Sequence, residues 1–350
     1  MTQTRVFPVA RLRALGVRLF TACGAPPDEA AMVADELVEA SLMGLESHGV
    51  TRYIMYVEEV LSGRIHPGAP VRLVRETPTL AVLDCSLNFG QVGAMRLVET
   101  VCAKARLAGL AYGVTQRCHH VGRLGGYAQK VAEQGLFCLA VANSHKQGHF
   151  VVPWGGREGR LATNPLAWAA PTGGVPVVLD MSTSMIAEGK IRALMHAGQP
   201  VPPGRILDGH GAPTTDPKAF YGPPRGTILP LGGELGYKGF GLGLLVAVLG
   251  STLAGEALTD EHRFVNGLGL LAIDPGPLCG ADRFRQLMDE LCAYVVSSPP
   301  APGFDEVVLP GALDFRGRER RLREGIPLPA ETCRQIAVAA KKVGVEEELL

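Results

Sequence analysis

The feature that most limits what this chain can fold into is a series of short apolar runs that begins near Val71. "TLAVLDC", "LAYGVTQ", "LFCLAVAN" and "VPVVLDM" are strand-length and rich in β-formers, and a long amphipathic stretch at 91–108 separates the first two. Runs of that kind read as strands, whereas apolar residues recurring every three or four positions read as helix. The alternation predicts an α/β body. Ahead of it, about 70 residues look helical. Pro8 opens a helix that Gly24 closes, and Pro27 with Asp28 and Glu29 opens a second, placing acids at the positive helix end. A third helix is expected from about Val50 to Leu61, stopped by Gly63 and Pro67, and a last one after Pro327. The expected layout is a helical unit from residues 1–75 joined by 315–350, and an α/β domain at 76–314. No internal repeat is visible.

Lys plus Arg and Asp plus Glu both number 34 with no long run of either sign, so neither a nucleic-acid nor a membrane-surface footprint is expected. The 8 cysteines form no C-x-x-C pair and several sit in apolar runs, which fits free thiols in a reducing compartment. The N-terminus lacks the charge and cleavage pattern of a signal peptide. "FGLGLLVAVLGSTLAG", from Phe240, is Gly-rich and short for a span of about 20 residues. The chain reads as cytoplasmic.

Chemistry first shows in "GLESHGVTRYIMYVEEVLSGRIHP". Val50, Ile54, Val57 and Leu61 define a buried helical stripe. If the helix already begins near His48, then His48, Arg52 and Tyr56 lie opposite that stripe, one turn apart. Such a row fits either a solvated face or a working surface. An imidazole titrates near neutrality, as a general acid or base should, and a guanidinium one turn away can hold a carboxylate bidentately. A 2-oxo or 2-hydroxy acid demands those two groups. In "QRCHHVGRLGGYA" adjacent side chains of extended backbone diverge, so His119 and His120 cannot share one site. The glycine-rich turn that follows would offer N–H groups to a phosphate. "VPVVLDMSTSMIAEGK" reads as a strand ending in Asp180, which could orient an imidazole or cap a helix starting near Ser184.

Other patterns are weak. "GFGLG" at 239–243 follows no expected strand and has the wrong spacing for a dinucleotide fingerprint, so tight helix packing explains it better. His145 and His149 lack a helical metal-ligand context, and no metal is expected. No G-x-S-x-G elbow is present.

Taken together, "SHGVTRYxxYVExxxxGRIxP", "HVGRLGGYA", "VVPWGGREGRLATNPLAWAAP", "LDMSTS", "EGKIR", "GAPTTDP", "LPLGG", "YKGFGLGLLVAVLGSTLAG" and "LPGALDFRGRERRLREGIPL" resemble, in this order, the malate/L-lactate dehydrogenase family. The resemblance spans nearly the whole chain and is nearest in pattern to the broad 2-hydroxycarboxylate dehydrogenases. It implies an α/β (α+β) fold that is not a Rossmann domain, a homodimer, and hydride transfer between NAD(P)H and C2 of a small 2-oxo acid, with NAD slightly favoured over NADP. By motif His48 would be the acid/base, supported by Ser47 and Asp180, with His120 taking the proton-transfer role in some members. Arg52 would bind the substrate carboxylate, with Tyr56, Thr163 and Asn164 also beside the substrate. Gly122, Arg123, Leu124, Leu179, Asp180, Met181, Tyr237, Lys238, Pro310 and Gly311 would hold the cofactor. "SHKQGHF" before "VVPWGG", Arg205 and Ala312 depart from the usual pattern. The alternatives are a cyclic imine (piperideine-2-carboxylate) reductase of the same family, a metal-dependent hydrolase or lyase using His48, His119 and His145, and a silent binding protein.

Overall fold

The structure is a computed structural model and describes residues 4–258 and 265–346. The chain starts with β1 (Thr4–Phe7), α1 (Val9–Ala22) and α2 (Pro27–Leu42), then a 3₁₀ turn at Glu46–His48 and α3 (Arg52–Leu61). Pro8 caps α1, Gly24 follows it at φ +89°, and Pro27 begins α2 with Asp28 and Glu29 in its first turn, as the sequence predicts. The third helix differs. Gly49 is extended, so His48 belongs to the 3₁₀ turn and Arg52 is the first residue of α3. The buried face is also displaced from the expected stripe, because Tyr53, Tyr56 and Val57 are fully buried while Leu61 is 55% exposed. The larger rings win that face by packing: Phe20 meets Tyr53 edge-on at 5.5 Å and Phe89 at 5.4 Å, and Tyr53 donates to Leu12 O at 2.9 Å. Each such burial contributes about 1.5–3 kcal/mol.

The body follows as β2 (Arg72–Glu76), β3 (Leu80–Asp84), α4 (Gly90–Ala108), β4 (Leu110–Gln116), α5 (Leu124–Glu133), β5 (Phe137–Ala142), β6 (Leu166–Ala170) and β7 (Val177–Met181). A smaller unit comprises α6 (Glu188–His196), β8 (Ile206–Leu207), β9 (Pro213–Thr214), α7 (Pro217–Tyr221) and β10 (Thr227–Ile228), and α8 (Gly236–Gly250) follows it. Its three short strands order β10-β8-β9 over a separate apolar cluster, a unit the sequence pattern did not reveal. Two-residue strands carry too little periodicity to be read. The expected helix near Ser184 starts four residues later, at Glu188, because Ser184 is bridged to Pro230 instead.

After β11 (Leu268–Ile273) the chain finishes with α9 (Gly276–Cys279), α10 (Ala281–Val296), α11 (Ala312–Glu324), β12 (Ile326–Pro329) and α12 (Ala330–Lys342). α12 is the helix expected after Pro327, and α11 and β12 make up the C-terminal stretch ahead of it. β12 pairs antiparallel with β1, and residues of α1, α2, α3 and α12 share one apolar cluster.

The large sheet orders β2-β3-β4-β11-β5-β6-β7, and β3–β4 is its one parallel pair among the described strands. β4 and β5 both run antiparallel to β11 and flank it, so their C-terminal ends emerge at one edge. The start of β6 and the end of β7 lie there too, since Leu166 pairs with both Val141 and Met181. That edge gathers His119, His120, Asn143, His145, Thr163 and Asn164, and the 3₁₀ turn and α3 close over it. On the body, α4 packs so tightly against β4 that a Cβ at Gly113 would lie 2.6 Å from Leu97.

Candidate active site

A cavity of about 310 Å³ lies between the sheet edge and the helical unit. Ser47, His48 and Arg52 line it from one side, and His120, Thr163 and Asn164 from the other. The rings of His48 and His120 face each other with centroids 5.6 Å apart. The row read from spacing thus faces the cavity at two of its three positions, although His48 arrives there by a 3₁₀ turn and not by helical periodicity.

The two imidazoles are held differently. Ser47 Oγ lies 2.9 Å from His48 Nδ1, and Arg52 Nε donates to Ser47 O at 2.5 Å. The 3₁₀ turn itself is anchored where Ser41 Oγ accepts from Val50 N at 3.0 Å and where Arg321 pairs with Glu46. His120 sits deeper. Gly122 N donates to its Nδ1 at 3.3 Å, and Tyr56 Oη lies 2.8 Å from the same atom. Gln91 Nε2 donates to Tyr56 Oη at 2.7 Å. A backbone N–H can only donate, so His120 Nδ1 is an acceptor and the proton of the neutral ring sits on Nε2.

Burial, and then the charge of Arg52, push the His48 imidazole down to about 4. Burial also holds His120 well below its ordinary value, with Arg52 and His48 adding to it. Both rings are therefore neutral near pH 7. Arg52 itself is lowered by burial, and no carboxylate among the described residues forms an ion pair with it. An anion entering the cavity would find this guanidinium free of a carboxylate partner.

Several expectations need correction. Asp180 does not support an imidazole: its Oδ2 accepts from Gly125 N at 2.7 Å, and Gly125 has no side chain to block that approach. Burial raises the Asp180 carboxyl, while Gly125 N–H and Arg123 oppose the rise. The same bond, with Gly122 N on His120, occupies two of the N–H groups expected to await a phosphate. Tyr56 does not line the cavity but lies beneath His120. Arg123 is 6% exposed and donates to Gln129 Oε1 at 3.2 Å, so its side chain points to the α2–α5 side, whereas Gly122 and Leu124 do line the cavity.

Leu179, Met181, Pro310 and Gly311 gather around β7, where Pro310 O accepts from Val178 N at 3.3 Å. Tyr237 and Lys238 stand on the exposed start of α8 beside Trp154, apart from the cavity lining. Two glycines of "GFGLG" serve packing, since a Cβ at Gly239 would lie 2.2 Å from Leu231 O and one at Gly243 3.1 Å from Thr183 Oγ1, whereas Gly241 faces open space. Gly243 O accepts the Asn164 amide at 2.7 Å, leaving Asn164 Oδ1 buried and unpartnered.

Gln91, Glu59, Asn143 and Asn266 were missed. Glu59 could have been found, because Arg52, Met55 and Glu59 at i, i+3 and i+7 share a helix face. Gln91 is 35 residues from Tyr56 and carries no local signal. His119 and His120, expected from extended backbone to face different sites, both line this cavity together with His48 and His145, yet no group of three or more His, Cys, Asp or Glu side chains among the described residues could share a metal ion.

Residues 7–337 match the family model for malate/L-lactate dehydrogenase. The malate dehydrogenase of Pyrococcus abyssi is 34% identical over 349 residues, 97% of this chain and 95% of that one. Hydroxycarboxylate dehydrogenase B of Escherichia coli K12 is 32% identical over 340 residues, 95% and 92% of the two chains. Malate dehydrogenase from Pyrococcus horikoshii superposes with a TM-score of 0.89 at 32% identity, covering 99% of each chain. The Δ1-piperideine-2-carboxylate reductase of Pseudomonas syringae superposes at 0.83 with 29% identity, covering 96% of this chain and 100% of that one.

Proposed function

The chain belongs to the malate/L-lactate dehydrogenase family, and on that premise we propose that it interconverts a small 2-oxo acid and its 2-hydroxy acid with NADH or NADPH. What carries the reading is the pair of neutral imidazoles beside one unpaired guanidinium at the cavity wall.

The residues present fit a nicotinamide. Asn164 Oδ1 is a buried acceptor that a carboxamide N–H would satisfy, and Gly122 and Leu124 share its wall. Leu179, Met181, Pro310 and Gly311 would hold the rest, with Asp180 fixing the Gly122–Leu124 turn through Gly125 N. We favour NAD over NADP because the cation of that turn, Arg123, is directed to Gln129. The mainly antiparallel sheet supports a binding mode other than the Rossmann one.

When bound, the cofactor supplies or accepts the hydride at C2. Arg52 grips the substrate carboxylate and so fixes which face of C2 is presented. His48 takes the hydroxyl proton in oxidation and returns it in reduction. The bound carboxylate offsets the Arg52 charge that depresses His48, which raises its affinity for that proton. His120 Nε2–H donates to the C2 oxygen as negative charge develops there. Thr163 lies beside the substrate.

The test is Arg52→Lys on a matched acid and methyl ester. Loss of the bidentate fork should cost about 1.5–3 kcal/mol, or roughly a 10- to 150-fold fall in kcat/KM for the acid. The ester should lose far less. Equal losses would make Arg52 scaffold and end the reading. A cyclic imine reductase is the second reading, favoured by the likeness to the Pseudomonas enzyme; a panel of imines against the same cofactors separates the two.

We further propose a soluble cytoplasmic homodimer. Gly233–Ala254 is apolar and long enough to cross a membrane, yet Gly239 and Gly243 seat it against the protein. Leu242, Leu244, Leu245 and Val248 remain exposed on its other side, and a second subunit would cover them. A monomeric mass by light scattering, with full activity, would contradict this.

A further inference from the structure

The two ends of the cavity differ in charge. Arg52, Met55 and Glu59 line it from one face of α3, and two helical turns separate Arg52 from Glu59, about 10 Å at 1.5 Å per residue. At the far end Glu59 Oε2 lies 3.7 Å from His119 Nε2, and Arg64, which is not part of the cavity lining, donates to both Glu59 oxygens, at 3.1 and 3.3 Å. Contact with His119 comes first among the effects that hold Glu59 below its ordinary value, so it is ionised near neutrality. Arg52 is the one Arg or Lys among the described lining residues, against two carboxylates, Glu59 and Glu188. Glu188 is itself engaged by Arg192 at 2.7 Å and Tyr221 at 2.7 Å. The His145 imidazole is lowered by burial and adds no charge.

The same end holds two buried polar atoms without partners, His119 Nδ1 and Asn143 Nδ2. Asn266 N–H donates to Cys118 O at 2.7 Å and Asn143 N–H to Gly267 O at 3.0 Å, which sets the two residues on neighbouring strand ends. The Asn143 amide has a fixed orientation: its Oδ1 accepts from Gly267 N at 2.9 Å, and that N–H can only donate. Nδ2 is then an unsatisfied donor. In the neutral form of His119 a carboxylate facing Nε2 favours the Nε2–H tautomer, in which Nδ1 is an acceptor. A hydroxyl is an uncharged end group that can serve an acceptor of the first kind or a donor of the second, which a methyl group cannot.

We propose that this end is a tail pocket selecting a monocarboxylic 2-oxo acid whose chain ends in a hydroxyl, with Glu59 rejecting a second carboxylate. The proposal rests on the 2-oxo acid reading above and narrows it. Malate carries two carboxylates, so the chain should differ in preference from the malate dehydrogenases it resembles. One guanidinium serves one carboxylate, and a second would be desolvated beside Glu59 with no lining cation of its own, because Arg64 is already committed to Glu59.

The experiment compares three five-carbon 2-oxo acids that differ only at the far end: 5-hydroxy-2-oxopentanoate, 2-oxopentanoate and 2-oxoglutarate, with pyruvate as control. The expected order of kcat/KM is hydroxyl, methyl, carboxylate, with the hydroxyl acid at least ~10-fold ahead of the methyl, since a site built for a hydroxyl rejects the analogue lacking it. Glu59→Gln should raise the ratio of 2-oxoglutarate to 2-oxopentanoate about tenfold by removing like-charge repulsion. Wild-type protein that reduces 2-oxoglutarate as well as the hydroxyl acid would overturn the tail pocket while leaving the general reading intact. An unchanged ratio in Glu59→Gln would overturn the role of Glu59. Reduction of none of the four acids would overturn the general reading and this proposal with it.

Discussion

His48 and His120 face each other across one cavity, but they come from regions built in different ways. His48 rides on a 3₁₀ turn at the rim, where a neighbouring hydroxyl is its one hydrogen-bond partner among the described residues. His120 belongs to the floor, at the end of a central strand, where Gly122 N and the Gln91–Tyr56 relay converge on Nδ1. Two chemically identical rings therefore start with different freedom. The floor ring is held in one tautomer and suits hydrogen-bond donation. The rim ring is not wired and can exchange a proton.

The largest test of that contrast is replacement of each ring by glutamine. Loss of general acid–base catalysis costs typically 10²–10⁴-fold, so His48→Gln should lower kcat by at least ~100-fold with cofactor binding retained. In wild type, oxidation of the hydroxy acid should hold its kcat/KM as pH falls from neutrality and drop only toward about 4, where His48 gains a proton and ceases to be a base. The variant should lack that drop. His120→Gln keeps an N–H donor and should lose less activity while retaining the acid limb. If His120→Gln loses more and abolishes the limb, the two roles must be exchanged.

A smaller effect sharpens the contrast. Tyr56→Phe removes one member of the relay but leaves Gly122 N on His120. A net hydrogen bond is worth about 0.5–1.5 kcal/mol, so kcat should fall roughly 2- to 13-fold with KM little changed. The acid limb assigned to His48 should not move. A shifted limb would show that the floor and rim titrate as one unit and that the distinction drawn between them fails.

Much of the architecture could be read directly. Pro8, Gly24 and Pro27 mark helix ends because their backbone restrictions act within a residue or two. "LAYGVTQ" is strand β4 residue for residue, since a buried run flanked by glycine needs no distant information. Arg52 and His48 could be nominated by chemistry. What failed were statements about partners. Asp180 has the right side chain at a strand end, yet Gly125 N–H reaches it first. Tyr56 has the right spacing, but the aromatic packing of Phe20, Tyr53 and Phe89 turned it inward, beneath His120 rather than beside a substrate.

The sequence by itself determined the local elements, the residue types able to handle a 2-oxo acid, and, through its ordered motifs, the family. Local dihedral preferences and apolar periodicity suffice for the elements, because their causes lie within a turn or two of chain. Only the tertiary structure decided which imidazole is wired and which is free, that Asp180 caps a helix, and that Glu59, His119 and Asn143 share a cavity with Arg52. A side chain's protonation and bonding depend on what surrounds it after the chain has closed. Gln91 reaches Tyr56 across 35 residues and Tyr56 reaches His120 across 64, separations over which no sequence period carries a signal.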